Sequence, residues 1–154
     1  MTTVEKVIKV LSGLLIAILF LYIYLMWSKL PEKVPTHFNA AGQVDGWDGK
    51  SSIWMVPIIG LVLFVMLSIL ERFPHIFNYP FMVTKENAPK LYLEARRLLV
   101  ILNLEIILFF ALVSWGIVQA AFGHDSLSIW FIPVFLIVIF GTLGIVIYRL
   151  FRVR

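Results

Sequence analysis

The sequence has no cysteine, and only 14% of its 154 residues are charged. The lack of cysteine excludes disulfide bonds, thiolate catalysis and cysteine metal sites. Hydrophobic residues make up 61% of the chain, whereas soluble domains are about half apolar and about one quarter charged. A globule of this length has too little interior to bury so much apolar surface. The composition therefore predicts a protein whose apolar surface faces lipid.

The sequence also lacks the usual catalytic motifs. It has no nucleophile elbow, Walker loop, His-Glu-x-x-His pattern or paired carboxylates, so we expect neither an enzyme nor a cofactor. The net charge of +4 does not indicate a nucleic-acid partner, because the basic residues lie at the ends of apolar runs and not in one patch.

Four long apolar runs dominate the chain, at residues 7–27, 53–70, 98–122 and 129–151. Each is close to the roughly 20 residues that a helix needs to cross the hydrocarbon of a bilayer. None alternates with period two, so helices are favoured over a barrel. The first run continues well past the core of a signal peptide, so we expect no cleavable one. The prediction is a single all-α integral domain over 1–154, with four transmembrane helices in the cell membrane.

The distribution of basic residues predicts the orientation. Ten of the thirteen Lys and Arg residues fall in the segments that are inside if the N-terminus is cytoplasmic, which favours both termini inside. Segment 28–52 is then an outer loop and segment 71–97 an inner loop. Four tryptophans also fall near the predicted outer interface, where indole rings favour the headgroup region: Trp27, Trp54, Trp115 and Trp130.

The outer loop is rich in turn residues and is predicted to be an ordered cap that can form a β-hairpin. Residues 34–38 can form a strand, 39–42 a turn and 43–45 the return strand, with further turns at 45–46 and 48–49. In that register His37 faces Val44, so His37 and Asp45 point to opposite sides of the hairpin. This disfavours a metal site on the two residues and predicts that Asn39 and Asp45 bond to the turn backbone. The remaining alternative is recognition, in which exposed side chains such as Trp47 contact a peptide or a lipid headgroup.

The spacing of the outer loop resembles the signature of the domain of unknown function 1648 family. The pattern Pro-x-His-x-Asn-x-x-Gly-x-x-Asp-x-x-x-x-Lys is present as Pro35, His37, Asn39, Gly42, Asp45 and Lys50. A weaker second match follows the second apolar run, with Asn78, Pro80, Asn87 and Arg96. Members of this family occur alone and as the N-terminal part of SdpI-type membrane proteins, which protect bacteria from a secreted toxic peptide.

The resemblance implies an immunity or signalling role, with a toxic peptide as the outer partner and a cytoplasmic regulator as the inner one. It would place regulator binding on the segment that holds Glu94, Arg96 and Arg97. Attraction to anionic lipid is the simpler explanation for the basic residues of that segment. Further partners considered are the surrounding bilayer and a second copy of the chain.

Glu105 is the most unusual residue within the apolar runs. It lies about seven residues into the third run, roughly 10 Å deep, where a carboxylate must pair, protonate or face water. Lys9 is the cation that we expect to reach it, as a structural pair. Asn103 lies on another face of the same helix, aligned with Ile107 and Ser114. The functional alternative is a small-solute or ion transporter subunit that uses Glu105 as a proton or cation site.

The end of the inner loop is predicted to begin the third helix. Thr84 or Asn87 can cap this helix, and Pro89 suits its first turn. We expect residues 90–97 to continue into the third apolar run as one helix.

Overall fold

The structure, a computed structural model, describes residues 1–39, 41–124 and 127–153. Four α-helices account for most of it: α1 (Thr3–Trp27), α2 (Met55–Leu70), α3 (Ala88–Ala121) and α4 (Phe131–Arg152). Two antiparallel strands, β1 (Lys33–Phe38) and β2 (Val44–Gly49), lie between α1 and α2. Short 3-10 turns cover Lys50–Trp54 and Pro74–Ile76. All four helices are long and apolar enough to cross a membrane, α2 together with its preceding turn. The predicted fold class is confirmed.

The third helix begins at Ala88, so the last part of the predicted inner loop is helical, as expected. The side chain of Asn87 accepts the backbone N–H of Thr84 at 2.8 Å, and the Thr84 hydroxyl accepts that of Asn87 at 3.3 Å. These two bonds fix the chain just before the helix. With 34 residues, α3 is about 51 Å long, well beyond the thickness of the hydrocarbon.

Helix α3 is the central element of the bundle, and the other three helices each pack against it. Apolar side chains of α1, α3 and the hairpin segment form the main core, among them Ile23, Val34 and Ile107. Helix α4 is the most exposed, with Val146 as its buried residue. An apolar helix with one narrow buried stripe suits lipid contact, which is consistent with a multi-pass membrane protein.

The bundle has two chemically different ends. The start of α1 and the end of α4 lie at one end, because Glu5 of α1 is close to Arg97 of α3, and Glu94 is close to Arg149 of α4. We call this the termini end. The strands lie at the opposite end, which we call the hairpin end. The four tryptophans noted in the sequence all belong to the hairpin end. Trp27 ends α1, Trp54 and Trp130 precede α2 and α4, and Trp115 lies in the last two turns of α3.

The hairpin has a different register from the predicted one. Phe38 pairs with Val44, His37 with Gly46, and Pro35 with Trp47. Thr36 on β1 and Asp45 on β2 are therefore extra residues that interrupt the regular pairing. The return strand also extends through residues 45–49, so the predicted turns at 45–46 and 48–49 are wrong. The glycines there are strand positions.

Candidate functional site at the hairpin end

The hairpin is anchored to the helices by its first strand. Val34 and Pro35 are fully buried, and Val34 belongs to the main core together with Leu30 and Ile53. The backbone N–H of Lys50 donates to the carbonyl of Glu32 at 2.9 Å and closes the base of the hairpin. Buried apolar side chains on one face oppose free movement of the hairpin, so the segment is an ordered cap on the bundle.

Asn39 organises the turn, as the sequence predicted. Its side-chain oxygen accepts the backbone N–H groups of Ala41 at 2.9 Å and Gln43 at 3.0 Å. The Asn39 N–H in turn donates to the carbonyl of Gln43. Ala40, within the predicted turn, lies outside the described residues. Asn39 thus has the backbone-bonding role that is common for asparagine in turns.

Gly42 brings the turn into contact with the segment before α4. Its φ is +78°, and an added Cβ would lie 2.5 Å from the carbonyl oxygen of Leu127. Only a glycine can adopt this backbone conformation and also approach so closely. The signature glycine therefore positions the hairpin against the start of the α4 region.

His37 and Asp45 contact each other, so the expectation that they face opposite sides is wrong. The Nδ1 atom of His37 meets the Oδ1 atom of Asp45. The extra residue on each strand changes the facing positions, which a regular two-residue period cannot predict. Gly46 allows the approach, since a Cβ there would lie 2.9 Å from that of His37. Asp45 therefore bonds the imidazole and not the turn backbone.

The His37–Asp45 pair is open to the surroundings, with side chains 72% and 44% exposed. Among the described residues, no cluster of three or more His, Asp or Glu side chains is suited to a metal ion. A two-residue set is below the three or four protein ligands usual for zinc. The pair is better described as an exposed hydrogen-bonding group on the cap.

The other predicted recognition residues differ in whether their side chains are exposed or held by contacts within the protein. Trp47 is 53% exposed on the cap surface. The ammonium of Lys50 lies 4.9 Å above the ring of Trp27, whose ring centroid is 5.9 Å from that of Trp54. This cation–π contact fixes Lys50 at the base of the hairpin. Trp47 and His37 are therefore the side chains that the cap presents.

A cavity of about 510 Å³ lies under the hairpin. Its roof comes from the strands and turn, including His37, Phe38 and Asn39, and its apolar walls come from the helices. The wall residues are Val56 of α2, Phe109, Val113 and Ile117 of α3, and Phe131, Ile132 and Pro133 of α4. This cavity could not be predicted from the sequence, because the positions of α3 and α4 relative to the hairpin decide whether it forms.

The expected pair between Lys9 and Glu105 is wrong. The Lys9 ammonium contacts Glu71 at the end of α2, whose side chain is buried. Glu105 instead accepts a hydrogen bond of 2.6 Å from the Thr142 hydroxyl of α4. The apolar pattern gives the depth of each residue but not the rotation of its helix, and rotation decides which helix a side chain faces.

Asn103 and Glu105 face different helices, because two residues correspond to about 200° of rotation around the helix axis. The amide nitrogen of Asn103 donates to the Phe64 carbonyl at 3.2 Å and to the Ser68 hydroxyl at 3.1 Å, both on α2. Ser114 is fully buried on the Asn103 side. Asn103 and Ser114 therefore lie on one side of α3, and Glu105 lies on another side, toward α4.

The basic residues predicted for regulator binding participate in an ion network at the termini end. The side chain of Arg97 donates to Glu94 at 2.7 Å, and Arg96 and Arg97 each lie 3.5 Å from Glu5. Arg149 is 3.8 Å from Glu94. Glu5 is only 2% exposed, and its burial was not predicted from the sequence. Its place in the capping box at the start of α1 was an available signal.

The inner loop keeps an exposed surface around Asn78 and Pro80. Between them, the Tyr79 hydroxyl donates to the carbonyl of Pro74 at 2.8 Å. Burial, with a smaller effect of the nearby Tyr92, raises the pKa of Tyr79 to about 12. At the start of α3, the Thr84 hydroxyl lowers the pKa of the exposed Glu86. These contacts order the loop, while Asn78 and Pro80 stay exposed.

Comparison with known proteins supports the resemblance of the hairpin segment. An uncharacterized protein of Archaeoglobus fulgidus is 32% identical over 88 residues, which are 52% of this chain and 48% of that protein. The chain thus spans about half the length of this relative. No solved structure matches. A family model for the domain of unknown function 1648 matches residues 14–61, from within α1 through the hairpin into α2. The second, weaker match predicted near Asn78 and Asn87 lies beyond that stretch. The part of the chain that is similar to this family is therefore the cap together with the adjoining parts of α1 and α2.

Proposed function

We propose that this protein is a membrane resistance protein of the SdpI type, and that its hairpin end captures a toxic membrane-active peptide. The observation that carries the proposal is the ordered cap with an apolar cavity of about 510 Å³ beneath it. The family match over residues 14–61 covers the cap and the helices on both sides of it. The cap therefore belongs to the part of the chain that is similar to the family, whereas the cavity walls from α3 and α4 lie outside that part.

The chemistry of the cavity favours an amphipathic ligand. The walls from α3 and α4 are apolar, and the roof includes the polar residues His37 and Asn39 of the hairpin. Its volume is within the range typical of small-ligand sites. One or two large apolar side chains fit such a space, while the polar roof bonds to a peptide backbone.

The outer surface of the cap offers a second contact area for the same ligand. Trp47 and His37 are exposed there beside the carboxylate of Asp45. Aromatic side chains with a polar atom are enriched in interfaces and in the headgroup region of membranes. A peptide that inserts from the membrane surface would meet these residues first and the cavity next.

Filling the cavity tests the proposal. Val113→Trp places a large ring in the cavity, whereas Ile137→Trp adds the same ring to an exposed position of α4. Expressed in strains challenged with candidate toxic peptides, the natural chain and Ile137→Trp should protect. Val113→Trp should lose protection while keeping its expression level and thermal midpoint. Equal protection by both variants, or no protection by the natural chain against any peptide tested, would contradict the proposal.

The alternative function is a small-solute or ion transporter subunit that uses Glu105. Glu105 has a partner in Thr142 and faces a groove whose other lining is almost entirely apolar. Because Asn103 faces α2 instead, a continuous polar path has little support. Glu105→Gln should abolish flux in reconstituted vesicles if the protein is a transporter, and should change only thermal stability if Glu105 is structural.

Signalling to a cytoplasmic regulator would use the inner loop. Arg96 and Arg97 pair with Glu5 and Glu94 of the same chain, so they are less suited to a partner than the exposed Asn78 and Pro80. We therefore place a regulator contact on residues 78–80. A pull-down with Asn78→Arg, which should lose the regulator, tests this placement.

A further inference from the structure

A second cavity, of about 380 Å³, lies at the termini end between α1, α3 and α4. Its apolar lining comes from Val4 and Ile8 of α1 and from Val100 and Ile101 of α3, and the polar Thr2 and Glu5 at the start of the chain also line it. Arg97 of α3 and Arg149 of α4 line the same space. We call this cavity the arginine groove. Guanidinium groups suit the phosphate of a phospholipid, and the apolar side chains beside them suit its acyl chains.

The arginine groove lies at the depth of lipid phosphates. Arg97 and Trp115 are both on α3, 18 residues apart, which corresponds to about 27 Å along the helix. The hydrocarbon core of a bilayer is about 30 Å thick, and tryptophan favours its boundary. If Trp115 marks one boundary, Arg97 is close to the opposite one.

The charges around the groove do not balance. Among the described residues, Arg96, Arg97 and Arg149 face two carboxylates, those of Glu5 and Glu94. One positive charge is therefore in excess within the network. Arg149 is 56% exposed, and its distance of 3.8 Å from Glu94 is too long for a hydrogen bond. Its guanidinium retains donors that suit a phosphate, which arginine binds with two parallel hydrogen bonds.

We propose that the arginine groove binds one anionic phospholipid of the leaflet at the termini end. The phosphate binds the guanidinium of Arg149, while Arg97 stays paired with Glu94 and adds only its positive charge. An acyl chain lies along Ile8, Val100 and Ile101. The lipid then links α4 to α1 and α3 where α4 has few buried side chains. This site is separate from the hairpin end and does not depend on the resistance function.

Native mass spectrometry of the purified protein in detergent tests the proposal, with phosphatidylglycerol and phosphatidylcholine as probes. We expect phosphatidylglycerol to bind at least about tenfold more tightly. Arg149→Gln should weaken its binding by about tenfold, equivalent to one charge-assisted hydrogen bond. Arg72→Gln is the matched control, because it removes the same charge from an exposed residue at the same end outside the groove.

A second variant tests the acyl-chain part of the site. Ile101→Trp keeps both arginines and fills the groove, so it should also weaken phosphatidylglycerol binding. Equal affinity of Arg149→Gln and Arg72→Gln for phosphatidylglycerol would overturn the proposal. Displacement of the lipid by millimolar inorganic phosphate would overturn it too, because a free anion would then be the ligand.

Discussion

At the scale of single residues, Gly42 is the clearest link between the family signature and the structure. Glycine is required there both by the positive φ and by the nearby carbonyl of Leu127. Gly123 has the same φ of +78°, but nothing described lies within 4 Å of its added Cβ. Comparison of the two positions therefore separates the cost of a positive φ from the cost of the steric contact with Leu127.

Gly42→Ala should destabilise the protein more than Gly123→Ala does. The positive φ costs a non-glycine residue about 1–2 kcal/mol, and we expect the contact with Leu127 to add about 1–3 kcal/mol at Gly42 alone. Unfolding in detergent, followed by circular dichroism, measures both. Equal losses for the two variants would show that the hairpin does not rest on the segment before α4.

A double-mutant cycle tests the partner of Lys9. Lys9→Met combined with Glu71→Gln should give a coupling free energy of about 1–3 kcal/mol, since the two side chains touch and Glu71 is buried. The matched cycle of Lys9→Met with Glu105→Gln should give a coupling near zero. A larger coupling to Glu105 would restore the pair predicted from the sequence.

Local hydrogen bonds were easier to predict from the sequence than contacts between distant residues. Asn39 was predicted to bond the turn and does so, because an asparagine side chain reaches only nearby backbone. Lys9 was paired with the wrong acid, because its partner is 62 residues away on another helix. Long-range pairs depend on helix rotation, which a hydrophobic pattern specifies only loosely when lipid surrounds the helices.

At the scale of elements, close helix contact depends on small residues at a few positions. Gly60 of α2 lies against Phe110 of α3, with 3.3 Å from an added Cβ to the Cβ of Phe110. Gly141 of α4 has nothing described within 4 Å of its added Cβ. Of these two glycines, only Gly60 is therefore at a close contact between helices.

Gly60→Leu should therefore destabilise the bundle by about 1–3 kcal/mol through overpacking between α2 and α3. Gly141→Leu, the same change on an open helix face, should have a much smaller effect. Thermal unfolding of the two variants in the same detergent measures the difference. A larger loss for Gly141→Leu would mean that α4 packs more tightly than the structure indicates.

The elements themselves could be predicted well, and the hairpin register could not. Long apolar runs fix the helices, because a backbone in lipid must bond within its own segment. The hairpin was also expected from its turn residues. Its pairing was wrong because the extra residues Thr36 and Asp45 break the period of two, and single-residue irregularities leave little signal in a sequence.

At the scale of the whole molecule, the two ends of the bundle differ in structure and in proposed function. The hairpin end has an ordered cap over an apolar cavity, whereas the termini end has an ion network with one excess positive charge. The excess of Lys and Arg predicts that the termini end is cytoplasmic. The proposed capture of an external peptide requires the cap to lie outside.

The natural chain has no cysteine, so single cysteines report the position of the cap directly. Glu32 and Lys85 are exposed at the hairpin and in the inner loop, and Val34 is fully buried under the cap. The decisive measurement is the labelling rate of Glu32→Cys, Val34→Cys and Lys85→Cys in intact cells by a membrane-impermeant maleimide. We predict rapid labelling at position 32, slow labelling at 34, and labelling at 85 only after lysis. Protection of position 32 until lysis would contradict an external cap, and equal rates at 32 and 34 would contradict a folded one.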